Sequence, residues 1–161
     1  MICIVDFDQT FLKNDFFKES FFRMLLFKPH YMLNHFILDR KGLFELKFDL
    51  LSTLEIKYEI DHLVNTIVKD WITENKHKYE KVILVSASPD FFVKRVLKDS
   101  LIFDEIYGSE DVNLKGKNKL AFIEEKWGNE FDYLGDSKAD IPIFKASRNG
   151  YKITRKGLIH V

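Results

Sequence analysis

Three short apolar runs, each closing on a polar residue, organise this chain. Met1 to Val5 closes on Asp6, Lys81 to Val85 on Ser86, and Asp132 to Leu134 on Gly135-Asp136. Each run is continuous rather than alternating and too short for a helix, which predicts strands buried on both faces. Glu105 to Gly108 and Gly150 to Thr154 read as two more strands. Between them, Asp90 to Leu101, Lys117 to Trp127 with Gly128 just beyond, and Ala139 to Ser147 read as helices. This alternation predicts a parallel sheet covered by helices on both faces, with ligands bound beyond the carboxyl ends of the strands. In such a sheet Asp6, Ser86 and Asp136 project from one edge.

From Asp15 to about Glu74 the period changes. Ile60, Leu63, Val64, Ile67, Val68, Trp71 and Ile72 recur at spacings of three and four, as one apolar helix face requires. Phe16 to Phe27, Tyr31 to Leu38 and Leu43 to Leu54 read as three earlier helical pieces, punctuated by Lys28-Pro29 and Lys41-Gly42. The chain therefore divides into a sheet-forming core, residues 1-11 and 79-161, and a helical insertion, residues 12-78. Half of the 16 phenylalanines lie between Phe16 and Phe48. A small helical unit has to fill its own core, and aromatic residues at helical spacing usually do that. A sharper reading makes part of this surface a contact for a lipid phosphate or a membrane-bound partner.

Composition narrows the function classes. The 161 residues fit one compact domain with an insertion. Twenty-five basic and 25 acidic residues leave no net field to gather nucleic acid or an anionic membrane, so a charged ligand has to be captured locally. The single cysteine, Cys3, sits among Ile2, Ile4 and Val5, which suits a small buried residue in a reducing, cytoplasmic setting. Acidic residues arrive at Asp6 and Asp8, which does not suit a signal peptide, and no apolar stretch is long enough to span a membrane.

Asp6 and Asp8 stand two apart at a strand end, where alternation points both to one side. A carboxylate can attack a phosphoryl group only after the electrophile's charge is neutralised, and magnesium is the hard, oxygen-seeking choice. The second acid can protonate a leaving oxygen and later take a proton from water. The plain alternative, that both acids only close a strand and start a turn, weakens because Asp136 and Asp140 follow on another strand end. N-capping explains one of that pair, and four carboxylates at one edge require a cation. Ser86 lies where a hydroxyl meets a helix N-terminus and suits a phosphate oxygen, whereas Ser88, before Pro89, reads as an N-cap. A lysine would complete the charge balance, and Lys115, Lys117 and Lys119 are all candidates.

The ordered set Asp6-Phe7-Asp8-Gln9-Thr10, the apolar run ending in Ser86, Lys115, and Gly135-Asp136 followed by Asp140 resembles the haloacid dehalogenase (HAD) superfamily of phosphatases. The resemblance implies a Rossmann-like three-layer α/β fold with a parallel sheet and a small α-helical cap inserted after the first strand, as in phosphoserine-phosphatase-like members. It implies a hydrolase of phosphoric monoesters, with Asp6 as nucleophile and magnesium ligand. Asp8 would be the acid/base and bind metal through its carbonyl. Thr10, Ser86 and Lys115 would bind phosphate, Lys119 being the alternative lysine, while Asp136 would ligate the metal and Asp140 support it. Dehalogenation is disfavoured, because those relatives lack the acid that Asp8 supplies. Gln9 stands where many members have glycine. Val85 to Ser88, Ile102 to Glu105, Asn113 to Gly116 and Tyr133 to Asp140 further resemble the phosphatase-like domain fused ahead of UbiA-type polyprenyl transferases. The expected substrate is a phosphorylated small molecule or a lipid-linked phosphate. Phosphoryl transfer to a second alcohol, and a recognition module serving a membrane-bound transferase, are the alternatives.

Overall fold

The computed structural model describes residues 1–15, 18, 26, 30, 61–154 and 156–161. Of the expected helices at Phe16 to Phe27, Tyr31 to Leu38 and Leu43 to Leu54, only Lys18 and Leu26 are described, both helical; the rest, with the phenylalanines they carry, lies outside the described residues.

A six-stranded sheet runs in the order β3-β2-β1-β4-β5-β6. Its strands are β1 (Ile2–Val5), β2 (Lys81–Pro89), β3 (Glu105–Ser109), β4 (Phe131–Gly135), β5 (Asn149–Thr154) and β6 (Gly157–His160). The first five pair in parallel, and β6 returns antiparallel on β5. The strand order reverses between β1 and β4, the topological switch point at which open α/β sheets form a crevice. Val5 lies level with Leu84 on one side and Leu134 on the other, which puts the carboxyl ends of β1 and β4 at one rim, while β2 runs on past it to Pro89.

Each central strand feeds two cores, which explains its uninterrupted apolar run. Cys3, Val5, Val82, Leu84 and Leu134 pack on one face with α1 (Thr66–Asn75) and α2 (Asp90–Val96), through Val68, Ile72, Phe92 and Val93. Ile2, Ile4, Ile83, Val85, Phe131 and Tyr133 pack on the other face with α3 (Lys117–Trp127) and α4 (Ile141–Ala146), through Ile123 and Ile143. This confirms the three-layer α/β architecture.

Besides one added strand, element bounds differ from expectation by more than one residue in four places. β2 extends past Ser86 to Pro89, and α2 stops at Val96 rather than Leu101. The last helix breaks into a 3-10 turn, Lys138–Asp140, and α4, with Pro142 at the join. β6, a short edge strand opening on Gly157, is an addition. The fourth difference is the helix expected from Ile60, which starts only at Thr66. Ahead of it Val64 bridges to Leu12, the Lys13 N–H donates to the Leu63 carbonyl (2.8 Å), and Asn65 Nδ2 donates to the Thr10 carbonyl (3.1 Å). Residues 10–13 and 63–65 are thereby tied together next to the Asp6 turn.

Candidate active site

The chain leaves β1 at Asp6, whose N–H donates to the Leu134 carbonyl at 2.9 Å and so fixes it beside β4. It then makes a wide turn, Phe7–Phe11, in which the Phe11 N–H reaches the Asp6 carbonyl (3.2 Å) and the Leu12 N–H the Phe7 carbonyl (2.9 Å). Phe7 and Phe11 anchor the turn in the core, Phe11 lying edge-on to Phe103 at 4.8 Å. The strand has already ended, so alternation is not what brings Asp6 and Asp8 together. The turn does that, with Gln9 at φ +60° and ψ 2° at its tip. A side chain in the left-handed region costs about 1–2 kcal/mol, and glycine gives back about 0.5–1 kcal/mol in chain entropy. Gln9→Gly should therefore raise stability by about 0.5–1 kcal/mol in urea unfolding. A loss of stability would contradict the strain.

Asp6 and Asp8 line one cleft of about 390 Å³ with Lys119, Asp136 and Asp140. Lys119, on the first turn of α3 and 2% exposed, places Nζ 2.5 Å from Asp6 Oδ1. Lys115, preferred in sequence, is exposed at the rim of the same cleft, because it precedes the left-handed Gly116 (φ +58°) and stays outside the helix. The lysine beside Asp6 is thus the alternative one. Asp8 Oδ2 accepts from Ser88 Oγ at 2.6 Å. Ser88 is therefore not the N-cap expected of it: it is a β2 residue, and α2 opens after Pro89. Ser86 is fully buried, and its Oγ accepts the Ser88 N–H at 2.9 Å. Thr10 is also fully buried and donates to Asp136 Oδ1 at 3.3 Å.

Asp140 belongs to a capping box in which Ser137 N–H (3.0 Å) and Ser137 Oγ (2.8 Å) both donate to its Oδ2, while Tyr133 Oη donates to its Oδ1 (2.9 Å). Capping therefore recruits Asp140 and leaves Asp136 at the strand end. Gly135 makes this possible, since a Cβ there would lie 2.6 Å from Tyr133 Cε1 and 3.0 Å from Asp140 Oδ2.

Asp6, Asp136 and Asp140 each offer an oxygen within 4.8 Å of the other two. Burial pushes the Asp6 carboxyl up to about 7; Lys119 pulls it down, and Asp140 and Asp8 push it further up. Burial, then the Asp140 charge, raises Asp136 to about 6 against the pull of Thr10 and Lys119. An all-oxygen donor set with more negative charge than Lys119 offsets fits a hard divalent cation such as magnesium. Both aspartates sit above their ordinary 3.8 in the metal-free fold. Below that value folded and unfolded chains are both protonated; above it the unfolded chain releases protons that the fold retains. These two groups therefore cost stability progressively as pH rises to about 7. Bound cation removes that cost, so the rise in melting temperature on adding magnesium should be larger at about pH 8 than at about pH 5. Equal rises would contradict it.

No family model matches the sequence. An uncharacterized protein, y4nM, of Sinorhizobium fredii is 28% identical over 145 residues, and the match covers 89% of this chain and 28% of that protein's length. Among solved structures, a protein of unknown function from Bordetella pertussis Tohama I aligns with a TM-score of 0.68 at 12% identity, covering 92% of this chain and 87% of the other. Phosphoserine phosphatase from T. onnurineus aligns at 0.58 with 18% identity, covering 96% and 84%. A phospho-aspartyl intermediate analogue of phosphoserine phosphatase aligns at 0.50 with 20% identity, covering 92% and 84%. The fold is the one these phosphoserine phosphatase structures share.

Proposed function

We propose that this chain is a magnesium-dependent phosphomonoester hydrolase working through an aspartyl-phosphate on Asp6. The observation that carries the reading is the Asp6 carboxylate at the switch point, with Lys119 Nζ on one oxygen and Asp136 and Asp140 gathered beside it. A phosphoserine phosphatase of the same fold, described as a phospho-aspartyl intermediate analogue, supports the same chemistry here.

Asp6 and Asp136, with the Asp8 carbonyl, would hold the cation, and Asp140, whose oxygens already accept from Tyr133 and Ser137, would support it. The bound cation neutralises phosphoryl charge so that a carboxylate can approach. Asp6 attacks phosphorus, and the ester oxygen leaves with a proton from Asp8, which Ser88 holds in place. Water then attacks the aspartyl-phosphate, giving its proton to Asp8 and releasing phosphate and free Asp6. Lys119 takes the charge-balancing role first given to Lys115. Thr10 orients Asp136, and Ser86, which accepts the Ser88 N–H, retains a hydroxyl proton for a phosphate oxygen.

Residues 12–78 serve as the cap in this reading, and Asp15 and Lys18 lining the cleft support it. Among the described residues the cleft wall includes the polar Gln9, Asp15, Lys18, Asn113, Lys115 and Ser137 beside Ala87 and Ala139, which supports a polar phosphate ester as substrate. A lipid phosphate or a membrane-bound transferase partner would rest on the aromatic residues outside the described ones. Among the described residues no helix is long and apolar enough to cross a membrane. The buried free Cys3 supports a reducing, cytoplasmic setting. The test is phosphate release from serine, sugar, nucleotide and lipid phosphates, with magnesium and with chelator. Release from polar esters that chelation abolishes is expected. Release indifferent to chelation, or from none of these esters, would overturn the reading.

A further inference from the structure

Tyr133 is wholly buried, yet its hydroxyl points away from the hydrophobic core into the acidic cluster. It stands on β4 with Gly135, on the face that packs against α3 and α4, and its ring meets Phe144 edge-on at 5.3 Å. The side chain is thus fixed at both ends, by an aromatic contact at the ring and by Asp140 at the hydroxyl. Gly135 keeps the space between them clear, since any Cβ would strike both the Tyr133 ring and Asp140 Oδ2. Burial, then the charges of Asp6 and Asp140, holds the phenol well above its usual range, so it remains a donor. Asp140 therefore has one oxygen fixed from below by Tyr133 and the other fixed from the cap by Ser137.

A carboxylate with three donors on it cannot turn freely, and its remaining lone pairs keep one direction. In the triad with Asp6 and Asp136, that direction decides whether the acids present a pocket for a cation or merely repel. We propose that the Tyr133 hydroxyl and the Ser137 cap form a positioning clamp on Asp140 that sets the affinity of the site for magnesium. This rests on the functional reading above and adds to it a residue that touches neither substrate nor reacting atoms. Tyr133 otherwise reads as a core aromatic satisfied by the nearest acceptor, and that reading predicts a cost in fold stability alone.

Calorimetric titration of metal-free protein with magnesium chloride separates the two. Partners of this kind typically tune metal affinity about 10–100-fold, so Tyr133→Phe should weaken the magnesium Kd at least about tenfold. Its magnesium-induced gain in melting temperature should shrink relative to the wild type's. Ser137→Ala, a half-buried change that spares the core, should weaken binding in the same direction by several-fold and keeps the proposal testable if Tyr133→Phe does not fold. Variants that bind magnesium as the wild type does, with only a lower melting temperature, would overturn the clamp and leave the functional reading standing. A wild type that binds no magnesium would overturn both.

Discussion

Asp6→Asn should abolish phosphate release, lowering kcat by at least about a thousandfold, the order that losing a covalent nucleophile costs. The amide keeps the volume and a carbonyl oxygen toward Lys119, so the site should survive while the chemistry does not. An amide oxygen cannot form a phosphoester that water then cleaves, and it brings no charge to the cation. The variant should keep its fold in metal-free buffer near neutral pH, because the charge lost opposite buried Lys119 is offset by the burial cost that ionised Asp6 no longer carries. Burial works against ionised Asp6 there, and the amide has nothing to ionise. Loss of activity with retained stability separates a nucleophile from a structural acid, whose removal would lower both. Phosphate release by Asp6→Asn, measured by malachite green, near the wild-type rate would contradict the assignment.

Lys119→Met should come next in magnitude, costing about 10²–10³ in kcat, as losing one preorganised charge partner of a developing anion does. The thioether keeps most of the buried stem, so the loss reports the ammonium group. Lys119 also pulls the Asp6 carboxyl down through its charge and its hydrogen bond, and without it that group moves further above about 7. The residual activity should therefore shift its acidic limb to higher pH. Lys115→Ala, at the exposed rim, should cost no more than about threefold, because an ammonium in water is largely screened. The reverse order of effects in steady-state assays would restore Lys115 as the phosphate lysine.

The central strands were legible because burial on both faces writes a continuous apolar run, and Asp6 and Asp136 followed once those runs were placed side by side. β6 was not, since a short edge strand that opens on glycine and stays half-exposed carries little pattern. The start of α1 was misread because Leu63 and Val64 fit the helical period, although Val64 is used in a bridge to Leu12. The choice between lysines did have a signal. Lys119 lies four residues before the buried Ile123, on the face of α3 that must be apolar, and a lysine there needs a buried partner. Ser88 was hidden by its neighbour, since Ser-Pro before an acid reads as a helix start whether or not the strand has ended. Tyr133 was hidden by distance: nothing in an apolar run distinguishes a tyrosine that fills space from one that steadies an acid seven residues later.

The most direct test of the account is to quench the enzyme in acid while it turns over a phosphomonoester with magnesium, and to map the protein by mass spectrometry. One phosphoryl group on the peptide containing Asp6, absent when magnesium is chelated, is the predicted result. Steady phosphate release with no phosphorylated protein, or with the phosphoryl group on another residue, would contradict it.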